Sequence, residues 1–131
     1  MRVRGIRGAT TATANTPEAI VEATSELLAE LVRLNDLQAE EICFGYFTAT
    51  EDLDAEFPAI AARRMGWFQV PLLCGNDMRV PGPNARSVPM CIRILLLYNT
   101  DRPQSEMKFA YLRGAQAIKA DLDETQRDLQ Q

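Results

Sequence analysis

Three observations predict a single α+β domain. One long stretch after residue 16 carries apolar residues at helical spacing, about five short β-prone runs surround it, and 131 residues suit one compact core. Residues 2–11 alternate arginine with apolar or small residues and read as the first strand. Thr16 is placed as N-cap, Pro17 as the first helical residue, and Glu18 where it complements the helix dipole. Ile20, Thr24, Leu27, Leu28, Leu31 and Asn35 then share one face, which predicts about five turns ending near Leu34 to Asp36.

Residues 42–48, rich in aromatic and β-preferring side chains, predict the second strand. After an acidic connection, Pro58 opens a short helix that Gly66 stops. Residues 67–74 read as a third strand, with Pro71 marking an edge or bulge and Gly75-Asn76-Asp77 a turn. Pro81-Gly82-Pro83-Asn84 is a loop, and residues 90–98 form the long central strand. A further strand is expected at 107–112, a short extension at 115–119, and a polar, fraying end. The boundaries are thus one domain over 1–122 and a flexible tail over 123–131.

The central run Met90-Cys91-Ile92-Arg93-Ile94-Leu95-Leu96-Leu97-Tyr98 is apolar on both faces and interrupted only by Arg93. One helix covers only one face of a sheet, so a homo-oligomer packing sheet against sheet is expected to cover the other. A guanidinium in such a run demands a carboxylate partner or an anionic ligand. Arg7 in the first strand and Arg63 in the short helix repeat the theme. Together these arginines predict a built anion site.

Fourteen basic and eighteen acidic residues give a net charge of -4, which disfavours general binding to nucleic acid or an anionic membrane. No apolar stretch is long enough to span a bilayer, and the arginine-rich start lacks the apolar core of a secretory signal. Histidine is absent, which removes the commonest general base and metal ligand. Cys43, Cys74 and Cys91 form no CxxC pair; Cys43 and Cys91 read as buried, reduced thiols of a cytoplasmic protein, with no metal expected. No phosphate-binding, dinucleotide or serine-hydrolase motif is present. Arginines, one carboxylate, a tyrosine and a cysteine suit chemistry that needs conformational restraint and charge stabilisation rather than proton transfer.

Several blocks in order carry a family resemblance: Arg4-Gly5-Ile6-Arg7-Gly8-Ala9-Thr10-Thr11, Thr50-Glu51-Asp52-Leu53 with Phe57-Pro58-Ala59, Cys91-Ile92-Arg93, Asn99-Thr100-Asp101 with Pro103-Gln104, and Tyr111-Leu112. From residue 2 to about 122 the chain resembles the monofunctional, trimeric, barrel-type chorismate mutases. That resemblance implies a homotrimer with a central pseudo-barrel, active sites between subunits, and conversion of chorismate to prephenate without cofactor. It implies that Arg7 binds a substrate carboxylate, Arg93 faces the breaking ether bond, and Tyr111 hydrogen-bonds a carboxylate. Cys74 is implied to line the pocket near the ring, with Phe57, Ala59 and Arg63 coming from the neighbouring subunit and Ile118 and Lys119 near the mouth. Asp77 stands where the family pattern usually has glutamate, residues 80–89 exceed the usual connection, and Ile60 stands where a lysine can occur. Two other readings remain: a small-anion-binding regulatory trimer without catalysis, and an imine or enamine deaminase of the related barrel-trimer group.

Overall fold

The computed structural model describes residues 1–83 and 87–130. The strands are β1 (Arg2–Thr11), β2 (Ile42–Ala49), β3 (Leu72–Asn76), β4 (Cys91–Thr100) and β5 (Ala110–Tyr111). The helices are α1 (Pro17–Asn35), α2 (Ile60–Arg64) and α3 (Gln116–Gln130). One five-stranded mixed sheet runs β3-β2-β4-β1-β5, confirming the α+β class. β4 lies antiparallel between β1 and β2, while the outer strands β3 and β5 pair parallel with their neighbours.

The expected caps hold α1. Thr16 accepts a hydrogen bond from the Ala19 amide at 3.1 Å, Pro17 opens the first turn, and Asp36 closes the helix in the left-handed region at φ 51°. Its stripe of Ile20, Leu27, Leu28 and Leu31 is fully buried. These side chains pack on the even-numbered positions of β1 and β4, including Ile6, Ile92, Ile94 and Leu96, with Phe47 from β2. Burying each such side chain contributes about 1.5–3 kcal/mol against the entropy of ordering it.

The opposite face divides in two. At one end Ala9, Cys91, Ala115 and Ile118 form a small buried cluster beneath the start of α3. At the other end Val3, Leu95 and Leu73 are 54%, 40% and 58% exposed. The expected need for a second cover therefore applies to only part of the face.

Three elements differ from expectation, the first being the strand expected over 107–112, of which only Ala110–Tyr111 forms a strand, β5. The third strand begins at Leu72 rather than Trp67: Pro71 has no N–H to offer a ladder, and Trp67 and Val70 are buried in the core as a loop. Gly75 and Asn76, expected in a turn, continue that strand beside β2. Most extensively, the segment expected to hold a strand extension and then fray is a 3-10 turn followed by α3. Ala115, Ile118, Leu122 and Leu129 do recur at helical spacing, and Lys119 pairs with Asp123 one turn on at 2.9 Å. Within the expected loop over 80–89, residues 84–86 lie outside the described residues.

Two devices bring the short strand β5 to its place. Asn35, 1% exposed at the end of α1, accepts a hydrogen bond from the Lys108 amide at 2.7 Å and donates to the Lys108 carbonyl at 2.9 Å. Gly8 supplies the other: a Cβ there would lie 2.9 Å from both the Ala110 carbonyl oxygen and Leu27 Cδ1. The carbonyl belongs to the backbone and cannot step aside locally. We expect Gly8→Ala to lower stability by about 1–3 kcal/mol and to push β5 off β1. Urea unfolding checks this, and an unchanged midpoint would contradict it.

Candidate active site

The register of the sheet assembles the arginines. Arg7 faces Leu95 across the β1–β4 pair and Ala9 faces Arg93, so the two guanidiniums project from the open face on neighbouring strands, one pleat apart. Thr48 of β2 lies opposite Arg93 on its other side.

Beyond the end of β3, the Asp77 amide donates to the Ala49 carbonyl at 2.9 Å and so extends the β2–β3 pairing. Its carboxylate reaches Arg93, with Nε to Oδ2 at 3.0 Å, and its Oδ1 accepts from the Met78 amide at 3.1 Å. Phe109, immediately before β5, and Tyr111 within it both lie on the Arg7 side. Arg7 Nε donates to the Tyr111 hydroxyl at 3.0 Å, and the guanidinium carbon lies 5.1 Å from the Phe109 ring centre.

A cavity of about 470 Å³ opens between these groups, walled by Arg7, Tyr46, Thr48, Asp77, Arg93, Tyr111, Ile118 and Leu122 among others. A smaller hollow of about 270 Å³ lies beyond the ion pair, beside Thr50, Glu51, Asp52 and Arg79; Asp77 and Arg93 border both. The cavity suits an anion with several carboxylate or hydroxyl oxygens. Among the described residues, no group of three or more His, Cys, Asp or Glu is placed to hold a metal ion, and no described helix is long and apolar enough to cross a membrane.

Of the residues singled out from sequence, Arg7, Asp77, Arg93, Tyr111 and Ile118 come together in this cavity. Lys119 is exposed and engages Asp123. Cys74 is exposed on the edge strand β3, away from these walls. Phe57 is 67% exposed, Ala59 is buried in the core, and Arg63 is exposed on α2; none lines the cavity of its own chain. Sequence reasoning missed Phe109, Tyr46, Thr48 and Leu122. The first could have been found from its position two residues before Tyr111, which places both on one side of a strand.

Of the two cysteines expected to be buried, Cys43 is instead exposed on β2, its thiol donating to the Leu97 carbonyl at 3.3 Å, whereas Cys91, two positions before Arg93, is 1% exposed. Burial pushes its thiol above the ordinary value of 9.0, and the nearby Arg93 charge opposes this in part. The sign follows from linkage: between the ordinary and the raised value the unfolded chain loses the proton first, so stability is held below pH 9 and falls above it. The urea midpoint should therefore drop from pH 8 to pH 10 by more in the native sequence than in Cys91→Ala. Equal drops would remove Cys91 as the cause.

The family model "Chorismate mutase type I" matches residues 3–122. The chain is 48% identical over 125 residues to "Chorismate mutase AroH" of Thermus thermophilus, covering 95% of this chain and 99% of that protein. It is 37% identical over 126 residues to the protein of the same name from Bacillus subtilis (strain 168), covering 95% and 96%. A solved chorismate mutase from Clostridium thermocellum superposes with a TM-score of 0.81 at 46% identity, covering 86% of this chain and 96% of that one.

Proposed function

The chain belongs to the chorismate mutase type I family, and from that premise we infer how its cavity performs the reaction. The protein is an isomerase that converts chorismate to prephenate in aromatic amino acid biosynthesis.

Chorismate carries two carboxylates and an allylic vinyl ether. Its rearrangement breaks one carbon–oxygen bond and forms one carbon–carbon bond in a single pericyclic step, with no proton transferred. Acceleration therefore comes from holding the compact, pseudo-diaxial conformer and stabilising the charge separated as the ether bond lengthens. Arg7, held by the Tyr111 hydroxyl, takes one carboxylate, and Tyr111 donates to it. Arg93 faces the ether oxygen, where negative charge accumulates. Asp77, already set against Arg93 at 3.0 Å, meets the ring hydroxyl and balances the developing positive character of the ring. The observation that carries this reading is the paired Arg93 beside Arg7 in one cavity of about 470 Å³.

The assembly is a homotrimer in this reading. The exposed Val3, Leu95 and Leu73 on the open face support packing against other copies. Phe57 and Arg63, exposed and outside their own chain's cavity, wall that of a neighbour, and Ile118 and Lys119 stand at the mouth.

The decisive experiment follows loss of chorismate absorbance with purified protein, identifies the product by NMR, and measures mass by light scattering. Prephenate formed by a particle three times the 14.6 kDa chain mass is expected. An intact trimer that binds chorismate without turning it over would support a binding protein instead, and a monomer would remove the shared-site arrangement.

A further inference from the structure

We propose that Phe109 is a positioning residue: its ring fixes the plane of the Arg7 guanidinium so that the arginine meets a substrate carboxylate already oriented. This rests on the reading above that Arg7 binds a carboxylate of chorismate.

Arg7 is an exposed side chain with several rotatable bonds, and one hydrogen bond does not fix a guanidinium. Its Nε is tied to the Tyr111 hydroxyl at 3.0 Å, which leaves rotation about that contact open. The Phe109 ring lies under the guanidinium at 5.1 Å, within the range where a ring face attracts a cation. Contact from two directions restrains both position and tilt.

The placement of the ring is itself built. Phe109 follows Lys108, whose amide and carbonyl are both held by the buried side chain of Asn35. It precedes Ala110, which is paired with Gly8 of β1. The backbone is thus fixed on both sides of Phe109, and the register sets the ring beside Arg7. Although Phe109 is 40% exposed and outside the main core, it occupies an anchored stretch of chain. The stack leaves the terminal nitrogens of Arg7 to present a fixed fork, the geometry that suits bidentate carboxylate binding.

The test compares native protein with Phe109→Leu, Phe109→Tyr, Arg7→Ala and the double variant Phe109→Leu/Arg7→Ala, each verified to keep the native mass. In steady-state turnover, Phe109→Leu should raise KM about three- to tenfold with kcat changed less than twofold. Phe109→Tyr should restore native values. In the Arg7→Ala background Phe109→Leu should cost less than twofold, because the effect runs through Arg7. An equal cost in both backgrounds, or a native KM in Phe109→Leu, would overturn the proposal. Native protein that fails to convert chorismate would reject the mutase reading instead. The stack is then read separately from the Arg7 Nε–H resonance, which should lose its ring-current shift in Phe109→Leu; an unmoved resonance would overturn the stack as well.

Discussion

Arg93→Ala should lower kcat about 10²–10³-fold while leaving KM within a few-fold of native. The charge on the ether oxygen exists only as the bond breaks, so the lost interaction is one the ground state scarcely makes. Asp77 enlarges the effect: its side chain is 17% exposed and lies 3.0 Å from Arg93 Nε. Removing the guanidinium leaves that carboxylate unbalanced beside the oxygen on which negative charge would build in the transition state. Arg93→Lys keeps a charge but loses the planar fork that serves Asp77 and substrate together, and should fall between native and Arg93→Ala. Initial rates over a range of chorismate concentrations separate kcat from KM. A loss below tenfold in kcat would remove Arg93 from the reacting centre.

Arg7→Ala should produce a loss of similar size with a different signature. The substrate carboxylate proposed to meet Arg7 is charged before, during and after the rearrangement, so most of the 10²–10³-fold fall in kcat/KM is expected in KM. The variant also strands the Tyr111 hydroxyl, which accepts from Arg7 Nε at 3.0 Å. Tyr111→Phe retains the arginine and should cost no more than about tenfold. The same assay reads both variants. A fall confined to kcat in Arg7→Ala would mean that the arginine acts on the breaking bond rather than on binding.

The arginine pair was legible because each residue violates its local pattern. A charge within an apolar β run, such as Arg93, needs a partner wherever the run folds, and that partner is Asp77. The long helix was legible for the opposite reason: Thr16, Pro17 and the apolar stripe all agree. The signal for α3 is weaker: its apolar residues recur at helical spacing but are few, only Ile118 among them is buried, and the segment has no cap like Thr16-Pro17. The start of β3 was obscured because Trp67 and Val70 are as apolar as a strand but serve the core from a loop. Spacing alone puts Phe109 on the side of Tyr111, but its meeting with Arg7 depends on a two-residue parallel pairing between segments about a hundred positions apart.

The amide of Gln104 accepts from the Gly5 N–H at 2.9 Å and donates to the Gly5 carbonyl at 2.6 Å. A single side chain thus takes the hydrogen-bonding groups that Gly5 would offer an incoming strand, and β5 takes those around Gly8 and Ala9. At these positions β1 has no backbone groups left for a strand from another copy to pair with. Gln104→Ala would bare the Gly5 groups again and should make the protein more prone to aggregate during storage, which light scattering over time would read.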